Sequence, residues 1–291
     1  MSAELKIIFI FVDGFGLGCD DPEVNPVRSE RFPALAKLLD DATPIDACLG
    51  IDGLPQSATG QATLFTGVNA AKEMGRHIEG FPPSSLKKLI KHENIFSKLR
   101  KRGKHCTFAN AYWIDDPHRI PPRRQSVTTV MSLSALGSVR RKAELIAGKA
   151  VHHDITRRTM HTRGYDGDLV SPETAADHLL AVAEENDFTL FEYFLTDRAG
   201  HSGKPELAFQ CMGMLERFLP RVAAFAKEPD SLFLLSSDHG NIEDLTTFNH
   251  TKNPVPLIAL GARAERFKSL NTLADVTPAI VRCMHDPVGN E

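Results

Sequence analysis

KIIFIFVDG, residues 6–14, is an almost unbroken apolar run that ends in an Asp-Gly pair. A strand with one solvent-exposed face alternates apolar and polar residues, whereas a strand buried on both faces does not. The run is too short for a transmembrane helix or for the core of a signal peptide. We therefore predict a strand, covered on both faces, over Lys6–Val12.

Further apolar runs of strand length alternate with segments of helical periodicity. The predicted strands lie at Thr189–Thr196, Ser231–Ser237 and Val255–Leu260, with a shorter one at His105–Ala109. Apolar residues recur at spacings of three and four in the predicted helices Pro33–Leu39, Ile95–Arg102, Pro172–Glu184 and Lys204–Ala226. This alternation predicts an α/β fold, with a mostly parallel central sheet and helices on both faces.

The composition changes between about residues 113 and 168, where Arg, Pro, Ser and His replace the long apolar runs. We therefore expect a core formed by residues 1–112 and 169–291, with residues 113–168 as a small cap or insertion. Two interpretations of this insertion stay open, a solvated loop-rich excursion and a lid that faces the substrate. Its arginines are Arg119, Arg123, Arg124, Arg140, Arg141, Arg157, Arg158 and Arg163.

The overall composition is that of an ordinary globular protein. Across 291 residues, Lys and Arg total 34 and Asp and Glu total 37, which gives a net charge of −3. This balance gives no electrostatic reason to expect nucleic acid or an anionic membrane as partner. The five cysteines are scattered, so we expect no disulfide framework and a cytoplasmic protein with reduced thiols. The sequence leaves the oligomeric state open.

Three of the predicted strands run into aspartates, namely Asp13, Asp197 and Asp238. A single aspartate in such a place is usually a turn or helix-cap residue. In an open parallel sheet, however, ligands bind outside the carboxyl ends of the strands. Because these ends meet at one edge of the sheet, we expect the three carboxylates to converge there.

Histidines accompany these aspartates. His239 directly follows Asp238, and His250 lies just before the last predicted strand. His201 follows Asp197 by four residues, and the glycines around this stretch favour a tight loop. Mixed Asp and His ligands suit zinc or manganese, and there are too many of them for one tetrahedral ion. Two ions close together would use them all and would hold a phosphoryl group between them.

The other histidines show weaker patterns. His152 and His153 are adjacent in the insertion and could bind a metal ion, but the setting favours an exposed polar pair. The remaining histidines are not accompanied by other potential ligands at a suitable spacing, so we predict no site at them.

The segment GLPQSATGQAT, residues 53–63, contains the best candidates for a nucleophile. Its small residues let backbone amides approach an anion, and the residues that follow predict the start of a helix. Coordination to a metal ion can activate a serine or threonine hydroxyl there. From the residues alone, Ser57 and Thr59 both fit, and so does a helix N-cap without chemistry.

The stretches FVDGFGLG, PQSATGQ, TDRAGHSG, SSDHGNIED and NHTKNPVPLI occur in this order along the chain. In this the chain resembles the alkaline phosphatase superfamily, and most closely its metalloenzyme branch, which holds cofactor-independent phosphoglycerate mutase and phosphopentomutase. The resemblance covers roughly residues 5–110 and 175–285. It implies an alkaline phosphatase-like core, two divalent metal ions and a serine that is transiently phosphorylated.

The resemblance also implies a role for each motif residue. It selects Ser57 over Thr59 as the nucleophile, because the family nucleophile lies two residues before a Thr-Gly or Val-Gly pair. The implied ligands of one ion are Asp13, Ser57, Asp238 and His239, and those of the other are Asp197, His201 and His250. The ions are expected to be Mn²⁺ or Zn²⁺, with the mutase branch favouring manganese. Substrate-binding residues are not identified.

Two features depart from the mutases. Gln61 stands where they usually have histidine, and the insertion before Asp197 is much smaller than the second domain of phosphoglycerate mutases of this type. We therefore expect a phosphomonoester hydrolase that acts on a small phosphorylated metabolite. The alternatives are a phosphomutase with a reduced cap and a non-catalytic metal-binding protein, although a binding protein would not need Ser57.

Overall fold

The computed structural model describes residues 4–285, and its centre is a six-stranded sheet with the strand order β2-β6-β5-β1-β4-β3. The strands are β1 (Lys6–Val12), β2 (Thr43–Ile45), β3 (Cys106–Phe108), β4 (Phe188–Tyr193), β5 (Ser231–Ser236) and β6 (Val255–Gly261). β1 pairs in parallel with β4 and β5, and β3 pairs in parallel with β4. β6 runs antiparallel to both β5 and β2. The predicted mostly parallel α/β sheet is confirmed.

Helices cover both faces of this sheet. The α-helices are α1 (Pro33–Asp40), α2 (Ser57–Thr66), α3 (Ala70–Met74), α4 (Ser84–Glu93), α5 (Ile95–Arg100), α6 (Val127–Met131), α7 (Lys142–Ile146), α8 (Arg158–His161), α9 (Pro172–Glu184), α10 (Leu195–Ser202), α11 (Pro205–Ala223) and α12 (Leu273–His285). Short 3₁₀ helices lie at Pro26–Arg28, Pro117–Arg119, Pro122–Arg124, Ala224–Lys227 and Ala264–Phe267, and a π-helix lies at Ser132–Leu136. All four helices predicted from periodicity are present.

β1 shows why the apolar run is unbroken. Its residues Ile7, Phe9 and Phe11 lie in a buried cluster with α2, α4, α5 and α12. The alternate residues of the same strand lie in a second buried cluster with α1, α9 and α11. Since successive side chains of a strand point to opposite faces, a strand between two helical layers needs apolar residues at every position.

Two elements near the edge of the sheet differ from the prediction. β4 ends at Tyr193, and the residues predicted as a tight loop form α10 instead, so that expectation was wrong. The helix ends at Gly203, which adopts a positive φ of 63° that suits a helix C-cap. Asp197 and His201 therefore lie four residues apart on one helical face.

Residues 113–168 divide between two parts of the structure. Val127, Val130 and Met131 of α6 belong to the large cluster beneath the sheet. A separate small cluster contains Leu145 and Met160, packed with neighbouring residues. Residues 113–168 as a cap or insertion stay a prediction. Among residues 4–285, none of the helices combines the length and the apolar character required to span a bilayer.

Candidate metal centre and nucleophile

The predicted site residues come together at the carboxyl edge of the sheet. Asp13 follows β1, and Asp238 follows β5, the parallel neighbour of β1. Because β6 is antiparallel to β5, its first residues start at this same edge, and this brings the preceding His250 to the site. α10 begins just after β4 and carries Asp197 and His201 to the same place.

One group of candidate ligands is buried at the ends of β1 and β5. Asp13, Asp238 and His239 each offer a ligand atom, and these atoms all lie within 4.8 Å of one another. The Nε2 atom of His239 lies 3.3 Å from Asp13 Oδ1 and 3.6 Å from Asp238 Oδ2. The same Nε2 lies 3.0 Å from the Oγ atom of Ser57. The hydroxyl predicted as nucleophile thus adjoins the predicted ligands of the first ion.

The second group lies between α10 and the loop before β6. The Nε2 atoms of His201 and His250 are 2.9 Å apart, and they lie 3.4 and 3.3 Å from Asp197 Oδ1. The His239 ring stacks on the His250 ring with a centroid distance of 3.7 Å, so the two groups are contiguous.

The hydrogen bonds of His201 and His250 show which ring atoms are available to a metal ion. Nδ1 of His201 donates to the Phe248 carbonyl at 2.6 Å, and Nδ1 of His250 donates to the Pro55 carbonyl at 2.7 Å. Because a carbonyl can only accept, the proton of each neutral ring is on Nδ1. In their neutral forms, both rings therefore direct an Nε2 lone pair toward the other ring and the Asp197 carboxylate. A cation between these atoms would remove the repulsion among them.

The electrostatics of the first group also fit a cation. Burial raises the pKa of Asp13 well above its usual value, and the charges of Asp238 and Asp197 raise it further. Burial likewise raises the pKa of Asp238, although His239 opposes this. Within the described residues, Asp13 Oδ1 and Asp238 Oδ2 are buried without a hydrogen-bond partner. Buried carboxylate oxygens of this kind are suited to metal coordination, which would compensate their charge.

Asp197 has the opposite behaviour. Burial raises the pKa of its carboxyl, but the His250 contact, the charge of His239 and a hydrogen bond from Asn241 outweigh burial and hold the pKa at about 2. Asn241 Nδ2 donates to Asp197 Oδ1 at 2.7 Å. Asp197 is therefore ionised at neutral pH and able to act as a ligand.

The start of α2 distinguishes the two hydroxyls that the sequence left as candidates. Ser57 is the first residue of the helix and faces His239. Thr59 is fully buried, donates to the Gln56 carbonyl and accepts from the Ile78 amide. Its hydroxyl is therefore occupied by the backbone, and this geometry supports Ser57 as nucleophile.

Three polar residues hold the candidate ligands in place. The sequence marked Gln61 only as a departure from the mutases, and it did not single out Asn241 or Glu243. Gln61 Nε2 donates to Asp13 Oδ2 at 3.2 Å, and Asn241 positions Asp197. Glu243 accepts from the Gly16 and Asn241 amides and from the Thr251 hydroxyl, so it ties together three loops at the site. Asn241 and Glu243 lie within the stretch SSDHGNIED, where nothing but their polar type marked them.

Glu192 is a further buried acid near the site. Burial raises the pKa of its carboxyl to about 7, with a hydrogen bond from Thr128 opposing the shift and the charge of Asp238 adding to it. The Thr128 hydroxyl donates to Glu192 Oε2 at 2.6 Å. The sequence offered one signal for this residue, a lone charge inside the apolar run TLFEYFLT.

A cavity of about 460 Å³ opens beside the site. Ser57, Asp13 and Asp197 line one part of its wall, and residues from 113–168, including Trp113 and Arg124, line another. His152 and His153 also line it, together with Arg163, Arg198 and Phe194. His152 is only 3% exposed, so the expectation of an exposed polar pair at His152–His153 was wrong.

The chain matches the Metalloenzyme superfamily over residues 5–285. It belongs to that superfamily. Over 133 residues it is 32% identical to a 2,3-bisphosphoglycerate-independent phosphoglycerate mutase of Cellvibrio japonicus, and over 125 residues it is 30% identical to the one of Hahella chejuensis. These matches cover 43% and 40% of this chain but only 26% and 24% of the two mutases. The matched region thus spans about a quarter of the length of these relatives.

Solved structures confirm the alkaline phosphatase-like fold. The alkaline phosphatase of the Antarctic bacterium TAB5 aligns with a TM-score of 0.60 and 12% identity, covering 98% of this chain and 99% of that one. The Thermus thermophilus alkaline phosphatase aligns with a TM-score of 0.60 and 11% identity, covering 95% and 90%. The resemblance expected from the sequence motifs is confirmed, and the superfamily relatives are phosphomutases and phosphatases.

Proposed function

We propose that this protein is a two-metal-dependent phosphomonoester hydrolase that acts through a phosphoserine at Ser57. The observation that carries the proposal is the position of Ser57 Oγ, 3.0 Å from His239 Nε2 and beside two contiguous groups of candidate ligands. A hydroxyl at a helix start, next to unpaired carboxylate oxygens and histidine lone pairs, is suited to attack on a phosphoryl group.

The proposed ligands of the two ions are those implied by the sequence. Asp13, Asp238, His239 and Ser57 would hold one ion, and Asp197, His201 and His250 would hold the other. Mn²⁺ and Zn²⁺ both suit mixed Asp and His ligands. When bound, such ions neutralise phosphoryl charge and lower the pKa of a coordinated hydroxyl.

The chain's own residues orient this chemistry. Gln61 holds the Asp13 carboxylate, and Asn241 holds that of Asp197. The amides of Ala58 and Thr59 donate to the Ile78 carbonyl, and this fixes the start of α2, with Ser57, beside the candidate ligands. The adjoining cavity has room for a small phosphorylated metabolite, and its arginines Arg124 and Arg163 suit an anionic substrate.

The alternative is a phosphomutase, which the similarity to phosphoglycerate mutases favours. A mutase must retain the released alcohol and turn it for a second transfer. Residues 113–168 contribute only a small cluster of their own, and Arg124, which lines the cavity, is exposed to solvent. This arrangement favours water as the acceptor of the phosphoryl group.

The fate of the phosphoryl group tests the proposal. The protein is incubated with Mn²⁺ or Zn²⁺ and a panel of sugar phosphates and phosphoglycerates, and free phosphate and isomerised product are both measured. We expect free phosphate to appear in step with substrate loss. Isomerised product without free phosphate would establish the mutase, and turnover of no phosphate ester would leave a binding protein.

Metal stoichiometry tests the proposed centre independently of turnover. Elemental analysis of metal-saturated protein is expected to give two divalent ions per chain. The variant His250→Ala should lose one of them, because it removes a candidate ligand of one group alone. A wild-type protein that saturates at one ion per chain would contradict the proposed two-metal centre.

A further inference from the structure

His152 lies in the wall of the cavity that contains Ser57 and Asp13, but it comes from a different part of the chain. Ser57 and Asp13 belong to the carboxyl edge of the sheet, whereas His152 belongs to residues 113–168. Attack by Ser57 on a phosphoryl group expels the leaving oxygen roughly in line with the new bond. A side chain that meets this oxygen must therefore come from a part of the wall other than α2, and residues 113–168 supply such a part.

A buried carboxylate fixes the orientation of the His152 ring. Nδ1 of His152 donates to Asp154 Oδ1 at 2.7 Å, and both side chains are 3% exposed. Asp154 also accepts the backbone amides of Arg157 at 2.7 Å and Thr159 at 2.5 Å. Burial raises the pKa of Asp154, but the His152 hydrogen bond and charge and the Thr159 amide outweigh it and hold that pKa well below the usual range.

This arrangement leaves one ring nitrogen available for proton exchange. Because ionised Asp154 can only accept, Nδ1 of His152 keeps its proton in both charge states of the ring. The other nitrogen, Nε2, makes no hydrogen bond to any residue between 4 and 285. A carboxylate that orients a histidine in this way is a recurrent arrangement in acid–base catalysis.

The backbone around Asp154 is strained in a way that maintains this pair. Ile155 and Arg157 have positive φ values of 65° and 68°, which are uncommon for residues other than glycine and most unusual for a β-branched one. Such strain persists only where the surroundings impose it, and it clusters at functional sites. Here the strained turn directs the Arg157 and Thr159 amides at the Asp154 carboxylate.

The neighbouring His153 provides a contrast. Its ring stacks on Phe194 with a centroid distance of 4.6 Å, and no carboxylate accepts a hydrogen bond from it within the described chain. Burial lowers the pKa of His153 to about 3, and the charges of His152, Arg163 and Arg198 lower it further while Asp154 opposes them. His153 is therefore neutral at physiological pH. Because its ring lies 3.9 Å from the His152 ring, centroid to centroid, a substitution at His153 controls for lost packing against His152 without removing the Nε2 proton of His152.

We propose that His152 is the general acid that protonates the leaving oxygen, an assignment that rests on the proposed phosphatase function. The bond between Ser57 Oγ and phosphorus forms, the bond between phosphorus and the alcohol oxygen breaks, and the Ser57 proton passes to solvent. The alcohol oxygen takes the bonding electron pair and the proton on His152 Nε2. His152 is left neutral, and its Nδ1 atom still donates a hydrogen bond to Asp154.

The second half of the reaction returns His152 to its first state. Water attacks the phosphorus of phosphoserine, and His152 Nε2 takes the proton that this water loses. The bond between Ser57 Oγ and phosphorus breaks, and Ser57 recovers a proton from solvent. The sum is one phosphate ester and one water converted to one alcohol and one phosphate.

Leaving-group dependence tests the assignment. The variants His152→Gln and His153→Gln are assayed with an alkyl phosphate, whose leaving oxygen needs a proton, and with 2,4-dinitrophenyl phosphate, whose leaving oxygen does not. We expect His152→Gln to lose kcat/KM about 100-fold or more with the alkyl ester and less than about 5-fold with the dinitrophenyl ester. His153→Gln should change both by the same small factor. Asp154→Asn should reproduce the dependence seen with His152→Gln, to a smaller extent.

The outcomes separate this assignment from the function on which it rests. Metal content and thermal melting of each variant are measured alongside, so that a misfolded or metal-depleted protein is recognised, and kcat/KM is compared per metal-loaded, folded chain. Equal losses with both esters, or no loss with either, would overturn the role of His152 while leaving the phosphatase intact. A wild-type protein that releases phosphate from neither ester would overturn the phosphatase proposal and this assignment with it.

Discussion

Ser57 and Thr59 stand two residues apart at the start of α2, yet their hydroxyls have different environments. Ser57 Oγ contacts His239, a candidate ligand, whereas the Thr59 hydroxyl bonds to backbone groups on both sides. A hydroxyl that is committed to the backbone stabilises the fold but is not free to attack. Under the proposed function, chemistry and stability would therefore be carried by separate residues here.

Substitutions at these positions should separate the two effects. Ser57→Ala is expected to abolish turnover, because it removes the attacking oxygen, while the melting temperature and metal content stay close to wild type. Thr59→Ala should retain most of the turnover and lose about 1 kcal/mol of unfolding free energy, since it leaves backbone groups unsatisfied. Phosphate release and urea denaturation measure both. Near wild-type turnover by Ser57→Ala would show that no phosphoserine forms.

Glu192 should make the stability of the metal-free protein depend on pH. The unfolded carboxyl ionises near pH 4.3, whereas burial, with a contribution from Asp238, raises the folded pKa to about 7. The stabilising contribution is therefore complete below about pH 4 and is lost as the pH rises toward 7. Relative to Glu192→Gln, wild type should lose roughly 3 kcal/mol between pH 4 and 8. Urea unfolding at several pH values measures this, and parallel curves for both proteins would contradict it.

At the scale of elements, the approach of α2 to the end of β5 brings Ser57 to the candidate ligands. A Cβ atom on Gly60 would lie 2.6 Å from the carbonyl oxygen of Asp238 and 3.0 Å from its Cβ atom. Real side chains do not tolerate such distances to backbone atoms. Only glycine lets the helix pack this closely against the strand end.

The variant Gly60→Ala should therefore move α2 or Asp238. We expect a loss of about 1–3 kcal/mol of unfolding free energy, together with weaker metal binding. Gly213→Ala in α11 is the matched control, because the nearest atom to its added Cβ would be 3.9 Å away. Alanine there should be neutral or stabilising by up to about 1 kcal/mol. Metal titration and thermal melting compare the two, and equal effects would argue against the close approach at Gly60.

The elements that the sequence predicts well are those that local pattern determines. β1, β5 and α9 follow from apolar runs and helical spacing, and the structure places them within a residue of the predicted bounds. The direction of β6 depends on its partner strand, and α10 depends on packing that overrides its glycines. No local hydrophobic periodicity in the sequence encodes the direction of β6 or the helical conformation of α10.

At the scale of the whole molecule, the site is assembled from segments far apart in the chain. The sequence predicted that its aspartates converge, because the carboxyl ends of parallel strands are neighbours regardless of the length and conformation of the connecting loops. The cavity wall from residues 113–168 could not be predicted in this way, since no periodic pattern places Arg124 or His152 beside the sheet edge. The candidate ligand atoms were thus foreseeable, whereas the cavity wall beside them follows only from tertiary packing.

Arg124 and its neighbour Arg123 allow a test of that surface. Both are exposed on the same 3₁₀ helix, but only Arg124 is among the residues that line the cavity. A guanidinium at the cavity mouth should attract a second anionic group on the substrate, so Arg124→Ala is expected to raise KM for a phosphoglycerate about 3–10-fold, equivalent to about 1 kcal/mol. An uncharged aryl group offers no such partner, so KM for an aryl phosphate should change little.

Arg123→Ala is the matched control and should affect KM for neither substrate. The difference between the substrates should shrink as salt is added, because screening weakens an exposed charge pair. A KM increase shared by both substrates, or by both arginine variants, would contradict a specific contact at Arg124. It would indicate instead that the summed positive charge of residues 113–168 attracts the substrate.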